Sequence, residues 1–143
     1  IAGMSQLAES EVFLAFCTYA TIVILKMLLM APLTAYFRIT KKVFSNPEDT
    51  WLAANAEEKK KMLCTDEDVE RVRRCHLNDL ENIVPFLMIG LLYSITGPDL
   101  STALLHFRVF VDSRIFHTVA YLMVGMATTF SMAYRVLTSV LYL

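Results

Sequence analysis

Between Glu11 and Tyr36 the only charged side chain is Lys26. A run this long and apolar crosses a hydrocarbon core of roughly 30 Å as a helix, and nothing else in the chain constrains its fold as strongly. Inside a bilayer every backbone N–H and C=O must be satisfied within the protein, which for a single apolar run means a helix. The run does not read as a cleaved signal, because no positive segment precedes it and it is too long. Pro32, near its end, is expected to kink the helix or loosen its last turns. Composition agrees. The 143 residues are 56% hydrophobic and 19% charged, against about 45–50% and 25% for soluble domains.

The next stretch changes character. Arg38, Lys41 and Lys42 are followed by Ser45-Asn46-Pro47-Glu48-Asp49 and by Glu57-Glu58-Lys59-Lys60-Lys61, a polar connection expected over about 39–65. Thr65 then reads as a helix N-cap, with Asp66, Glu67 and Asp68 on the positive end of the helix dipole. This helix is expected over about 66–95. Its first half is polar, its second half apolar, with a bend at Pro85, and it stops at Thr96-Gly97-Pro98-Asp99, a turn signal. The turn carries no Lys or Arg, whereas the 38–74 stretch is rich in both. The positive-inside rule therefore puts the connection in the cytoplasm and the turn in the lumen.

From Leu100 to Leu143 the sequence is nearly continuous apolar residues, with charges at Arg108, Asp112, Arg114 and Arg135. One helix of that length would measure about 65 Å, twice the hydrocarbon core. Two spans are expected, about 100–122 and 123–141, although no turn signal lies at Leu122-Met123-Val124. Helices that fold back on one another normally need a few connecting residues. Either a loop is missing here or the chain breaks tightly at Gly125. The fold class is all-α: a single transmembrane domain, an integral membrane four-helix bundle subunit.

A net charge of −1 gives no footprint for nucleic acid. Cys17, Cys64 and Cys75 form no CxxC pair and leave one over, which fits reduced thiols rather than a disulfide framework. His76, His106 and His117 lack metal-ligand spacing, so no metal is expected. No Gly-rich phosphate loop or G-x-S-x-G elbow is present.

The polar residues at membrane depth are the informative ones, because ionisable groups there are costly and point to a functional site. Arg74, Asn78 and Glu81 share one face of the second long helix, with His76 and Asp79 on an adjoining face. Arg114, His117 and Tyr121 share a face further along. Arginines favour carboxylates and a glutamate favours an ammonium group, so the two faces together suit a zwitterionic, peptide-like ligand. The alternative is an interhelical polar network that only fixes packing.

The segment Glu70-Arg71-Val72-Arg73-Arg74-Cys75-His76-Leu77-Asn78-Asp79-Leu80-Glu81-Asn82-Ile83-Val84-Pro85-Phe86 closely resembles the second-helix signature of the MAPEG family, membrane-associated proteins of eicosanoid and glutathione metabolism. Val43 to Asp49, Gly90 to Ser94, Arg114 to Leu122 and Ser131 to Arg135 follow the family in order. The resemblance covers most of the chain. It implies a four-helix subunit, a homotrimer, and glutathione held between subunits near the cytoplasmic face.

By matching position, the resemblance implies glutathione contacts at Arg38, Arg74, His76, Asn78, Glu81 and His117, with Arg73 a weaker candidate. Arg114 and Tyr121 are the catalytic candidates. Lys26 is expected to pair with Asp79 or Glu81. The implied activity is a glutathione transferase acting on lipophilic electrophiles dissolved in the bilayer, with peroxidase activity on lipid hydroperoxides. Membrane lipid is its surroundings, and the implied location is the endoplasmic reticulum membrane, with the mitochondrial outer membrane as a second site. A glutathione-dependent prostaglandin-forming isomerase and a non-catalytic lipid-binding scaffold are the family's alternatives.

Three departures from the family pattern stand out. The loop between the third and fourth helices, with its Pro-rich turn and catalytic Arg, has no counterpart near 122–124. Thr50 stands where the transferase has a cysteine after Asn-Pro-Glu-Asp. Asp112 adds a charge near Arg114 and is a possible partner for it.

Overall fold

A computed structural model describes residues 9–51 and 53–141. Four α-helices occupy them: α1 (Glu11–Lys41), α2 (Ala56–Met62), α3 (Glu67–Ile95) and α4 (Leu100–Leu141), with a 3-10 turn at Pro47–Asp49. The described residues contain no strand, only an isolated parallel bridge between Phe44 and Leu63. Among them, α1 is the helix long and apolar enough to cross a membrane.

Two compact units divide the chain. The first takes 1–31 and 76–117, the second 32–75 and 118–143. The first is knit by aromatic packing. Val12, Phe16 and Ala20 of α1 meet Ala103 and Phe107 of α4, and Val23, Ile83 and Val111 form a second cluster. Phe86 stacks on Phe110 with ring centroids 3.9 Å apart. Gly90 lets α1 come close, since a Cβ there would stand 2.6 Å from the Phe16 ring. Such a spot needs a residue without a side chain.

In the second unit α1 ends on Lys42, which takes φ +54. The N–H of Val43 donates to the Arg38 carbonyl at 3.0 Å and that of Lys42 to Ile39 at 3.3 Å, the Schellman pattern that satisfies terminal carbonyls. The helix therefore runs three residues beyond the expected 38, and Pro32 does not end it. The 39–65 connection is not wholly irregular, for it contains the 3-10 turn and α2. Asn55 caps α2, its Oδ1 accepting from the Glu58 N–H at 2.8 Å, while Glu58 accepts from the Ala54 N–H at 2.9 Å. Asn55-Ala56-Glu57-Glu58 is thus a variant of the capping box, in which Glu58 reaches one residue past the Asn55 cap.

At the start of α3 the cap is Asp66 rather than Thr65: its Oδ1 accepts from the N–H groups of Asp68 and Val69 at 2.9 and 3.3 Å. A carboxylate at that position also meets the positive end of the helix. Asp66 further accepts from Lys41 Nζ at 2.8 Å, and Asp68 pairs with the same ammonium.

The largest difference from the sequence reading is α4. It is one unbroken helix of 42 residues where two spans, 100–122 and 123–141, are expected. The physical reason is local. No Pro or turn cluster lies between Leu122 and Val124, and one Gly at 125 costs a helix only about 1 kcal/mol relative to Ala. Nothing in the chain interrupts the hydrogen-bond ladder.

Candidate functional site

Within the first unit, three helices bring charges to one buried point. Asp79 of α3 is fully buried. Its Oδ2 pairs with Lys26 Nζ of α1, and its Oδ1 accepts from Arg114 Nη2 of α4 at 3.2 Å. The same nitrogen donates to Asn78 Oδ1 at 2.7 Å and lies 3.2 Å from His117 Nδ1. Arginine has no acceptor atom, so a hydrogen bond between these two nitrogens would need an unprotonated His117 Nδ1. Lys26 and Arg114 thus both meet the one Asp79 carboxylate.

Helix periodicity explains the arrangement. Asn78 and Asp79 sit on the flank of α3 that also carries buried Cys75 and Ile83, and side chains four apart lie over one another. Lys26 lies three residues from Val23, itself fully buried. Arg114 follows Phe107 and Val111 along the packed face of α4. Each charged residue thus extends an apolar stripe that has already been buried, so it is carried inside and must find partners there.

The expected pairing of Lys26 with Asp79 is present. Asp112 is not the partner of Arg114; that partner is Asp79. Residues two apart on a helix do not face each other, and Asp112 is exposed.

The remaining candidates divide by surroundings. Glu81 is exposed and His76 is half-buried, with its Nδ1 enclosed and lacking a hydrogen-bond partner; both belong to the first unit. Arg38, Arg73, Arg74 and Tyr121 belong to the second. Arg38 also has an enclosed Nε without a hydrogen-bond partner. Arg74 is exposed and makes no ion pair among the described residues, whereas Arg73 is engaged with Glu70 at 3.0 Å. A buried, unsatisfied N–H on Arg38 is costly and is what a ligand's carboxylate or carbonyl would relieve. The structure brings together Asn78, Arg114 and His117, and adds Asp79 and Lys26 to them.

An apolar cavity of about 500 Å³ lies along the same two helices, lined by Pro85, Phe86, Ile89 and Gly90 of α3 and by Phe107 and Phe110 of α4. Asn82, one turn on from Asn78, forms its polar edge with Tyr93 and His106. Its size falls in the range of small-molecule sites. Sequence inspection misses it, because its wall is made by the relative rotation of two helices rather than by a motif.

A helical chain with an apolar span, a polar Arg-Asn-His cluster and an adjoining apolar cavity fits the class that its sequence matches: residues 16–142 match the MAPEG family, and the chain belongs to that family. Among its relatives, microsomal glutathione S-transferase 1 of Bos taurus is 59% identical over 155 aligned positions covering 100% of both chains. The protein of that name from Homo sapiens is 57% identical over 152 positions and 98% of each chain. Prostaglandin E synthase of Equus caballus is 44% identical over 122 positions, 85% of this chain and 77% of its own. The 155-position alignment takes in all 143 residues, which leaves 12 positions to which this chain contributes none.

Proposed function

We propose that this chain is a membrane-embedded glutathione S-transferase that joins the thiolate of glutathione to lipophilic electrophiles. The observation that carries the reading is its full-length similarity to microsomal glutathione S-transferase 1, combined with the cationic cluster at Arg114. Glutathione is the cosubstrate.

Only the thiolate is a competent nucleophile, and a free thiol has a pKa of about 8.5. The site must therefore favour S⁻ near neutral pH. A positive group in a water-poor environment does so far more strongly than in bulk water. Arg114 and Tyr121 are the catalytic candidates. The ligand's carboxylates are assigned to Arg38 and Arg74 and its ammonium to Glu81, with His76, Asn78 and His117 as hydrogen-bonding partners and Arg73 in a minor role. The sulfur attacks the electrophilic carbon, a C–S bond forms, and the leaving group departs with its electron pair. The apolar cavity beside Asn82 suits the lipophilic partner.

The finer reading follows the family. The subunit is multi-pass in the endoplasmic reticulum membrane, with the mitochondrial outer membrane as a second location; it assembles as a homotrimer and also reduces lipid hydroperoxides. The 12 unmatched alignment positions and the unbroken α4 have one explanation in this account: the connection between the third and fourth spans is absent from the chain. Binding then survives, because Arg38, Arg74 and Glu81 are retained. Turnover falls by roughly one to three orders of magnitude, the usual cost of losing one transition-state contact.

The test is conjugation by the purified chain, reconstituted in vesicles, of glutathione to an aryl halide, beside its isomerisation of a prostaglandin endoperoxide. Conjugation above the uncatalysed rate, without comparable isomerisation, is expected. Isomerisation alone would place the chain with the prostaglandin synthases.

A further inference from the structure

The connection after α1 holds one large apolar side chain in the open. Trp51, the chain's one tryptophan, is 76% exposed, whereas Thr50 beside it is only 1% exposed. Thr50 fixes the spot. Its hydroxyl and its N–H both donate to the Pro47 carbonyl, at 2.6 and 3.3 Å, and its own carbonyl accepts from the Ala53 N–H at 3.1 Å. The backbone is bonded on both sides of Trp51, so the indole is presented rather than loose. At the base of the connection the Phe44 N–H donates to the Met62 carbonyl at 2.8 Å, so the segment leaves and returns close to the end of α1. The last turns of α1 carry two more exposed side chains of this kind, Tyr36 and Ile39, three apart and so on one face.

We infer that Trp51 docks the 44–62 connection onto the headgroup layer of the membrane that α1 crosses, with the indole at the boundary between headgroups and acyl chains. The inference rests on the membrane-spanning reading of α1 and goes beyond it by naming the surface that the polar connection meets. Position favours lipid. α1 has 31 residues and is about 46 Å long, more than the roughly 30 Å of a hydrocarbon core. Its end, with Arg38, Lys41 and Lys42, therefore stands among the headgroups, the level at which Trp and Tyr collect. Indole suits that boundary, because its body is apolar and its one N–H can reach phosphate or carbonyl oxygens. Charge assigns the contact to the indole rather than to the lysines. Lys42, Lys59, Lys60 and Lys61 are matched by Glu48, Asp49, Glu57 and Glu58, so the segment lacks the excess of bases that draws a polybasic stretch to anionic lipid.

As the one tryptophan, Trp51 reports on itself without any substitution. The full chain is reconstituted in phosphatidylcholine vesicles whose lipid carries bromine either just below the headgroups or near the acyl-chain ends, and the indole emission is recorded. Emission at shorter wavelength than from the chain unfolded in denaturant is expected, with severalfold stronger quenching by the shallow bromines than by the deep ones. Raised salt, which screens surface charges, should leave both readings unchanged, and so should replacement of part of the lipid by phosphatidylserine.

Emission like that of the unfolded chain, quenched by neither set of bromines, puts Trp51 in water and overturns the proposal. Short-wavelength emission that no bromine quenches puts protein over the indole, a second copy of the chain included, and overturns it as well. Stronger quenching by the deep bromines does the same, and a signal that depends on salt or phosphatidylserine moves the contact to the lysines. Release of the chain from the vesicles by alkaline carbonate removes this proposal together with the membrane-spanning reading beneath it. A chain that stays with the vesicles while Trp51 lies in water removes this one alone.

Discussion

Two lysines of α1 pair with aspartates in opposite surroundings. Lys26 meets Asp79 where the carboxylate is fully buried, and Lys41 meets Asp66 and Asp68 with about a third to a quarter of each side chain exposed. The chemistry is the same and the energetics are not. An exposed pair contributes about 0–1 kcal/mol and is screened by salt. A buried one contributes little as a whole, yet removing one partner costs about 3–5 kcal/mol because the other is left charged and unpaired. The pairs near the start of α3, including Arg71 with Asp68 and Arg73 with Glu70, brace that helix end. The buried cluster ties α1, α3 and α4 together at one point.

The largest expected effect breaks this contrast directly. Asp79→Ala should destabilise the protein by about 3–5 kcal/mol, while Asp68→Ala should cost under about 1 kcal/mol, both read by thermal unfolding in detergent. Comparable losses at the two positions would remove the distinction.

Next come the ligand contacts. Arg74→Ala and Glu81→Gln should each weaken glutathione binding by about 1.5–3 kcal/mol, the value of one charge-assisted contact. Arg73→Ala, whose partner is already Glu70, should change affinity by less than about threefold. Equal losses in all three would indicate a folding defect.

Packing supplies a smaller effect. Gly90→Ala sets a methyl against the Phe16 ring and should cost about 1–3 kcal/mol by overpacking. Unchanged unfolding would mean that Phe16 moves freely.

The smallest effect is electrostatic. Burial pushes the Asp66 carboxyl up, but the Lys41 ammonium and the backbone N–H groups of Val69 and Asp68 outweigh it and hold its pKa below the ordinary value. A depressed carboxylate contributes stability that is complete above its unfolded pKa of about 3.9 and is lost as pH falls through the lower folded value. Acidification below about pH 4 should therefore remove well under 1 kcal/mol at this site. Asp66→Asn should flatten that part of the stability profile.

How much of this was legible in the sequence depends on whether a feature is local. Thr96-Gly97-Pro98 announces the end of α3, and Gly97 does take positive φ there. The long apolar run of α1 and the polar-to-apolar course of α3 are equally local. Asn55-Ala56-Glu57-Glu58 was local as well, but its helix is only 7 residues long, too short for any periodicity. Arg114 is legible as an intramembrane charge; its partner is not. Asp79 and Asp112 both lie within reach of a sequence argument, and only the rotation of α3 against α4 separates them. The expected break at 122–124 rested on the thickness of a bilayer, which acts on the chain from outside. The local sequence holds no breaker, and α4 continues.

The most direct test of the account is a calorimetric titration of the purified chain in detergent with glutathione, beside Arg74→Ala. The account predicts saturable binding by the parent and an affinity lower by roughly tenfold or more in the variant. Absence of binding by correctly folded parent protein, or equal affinities in the two, would contradict it.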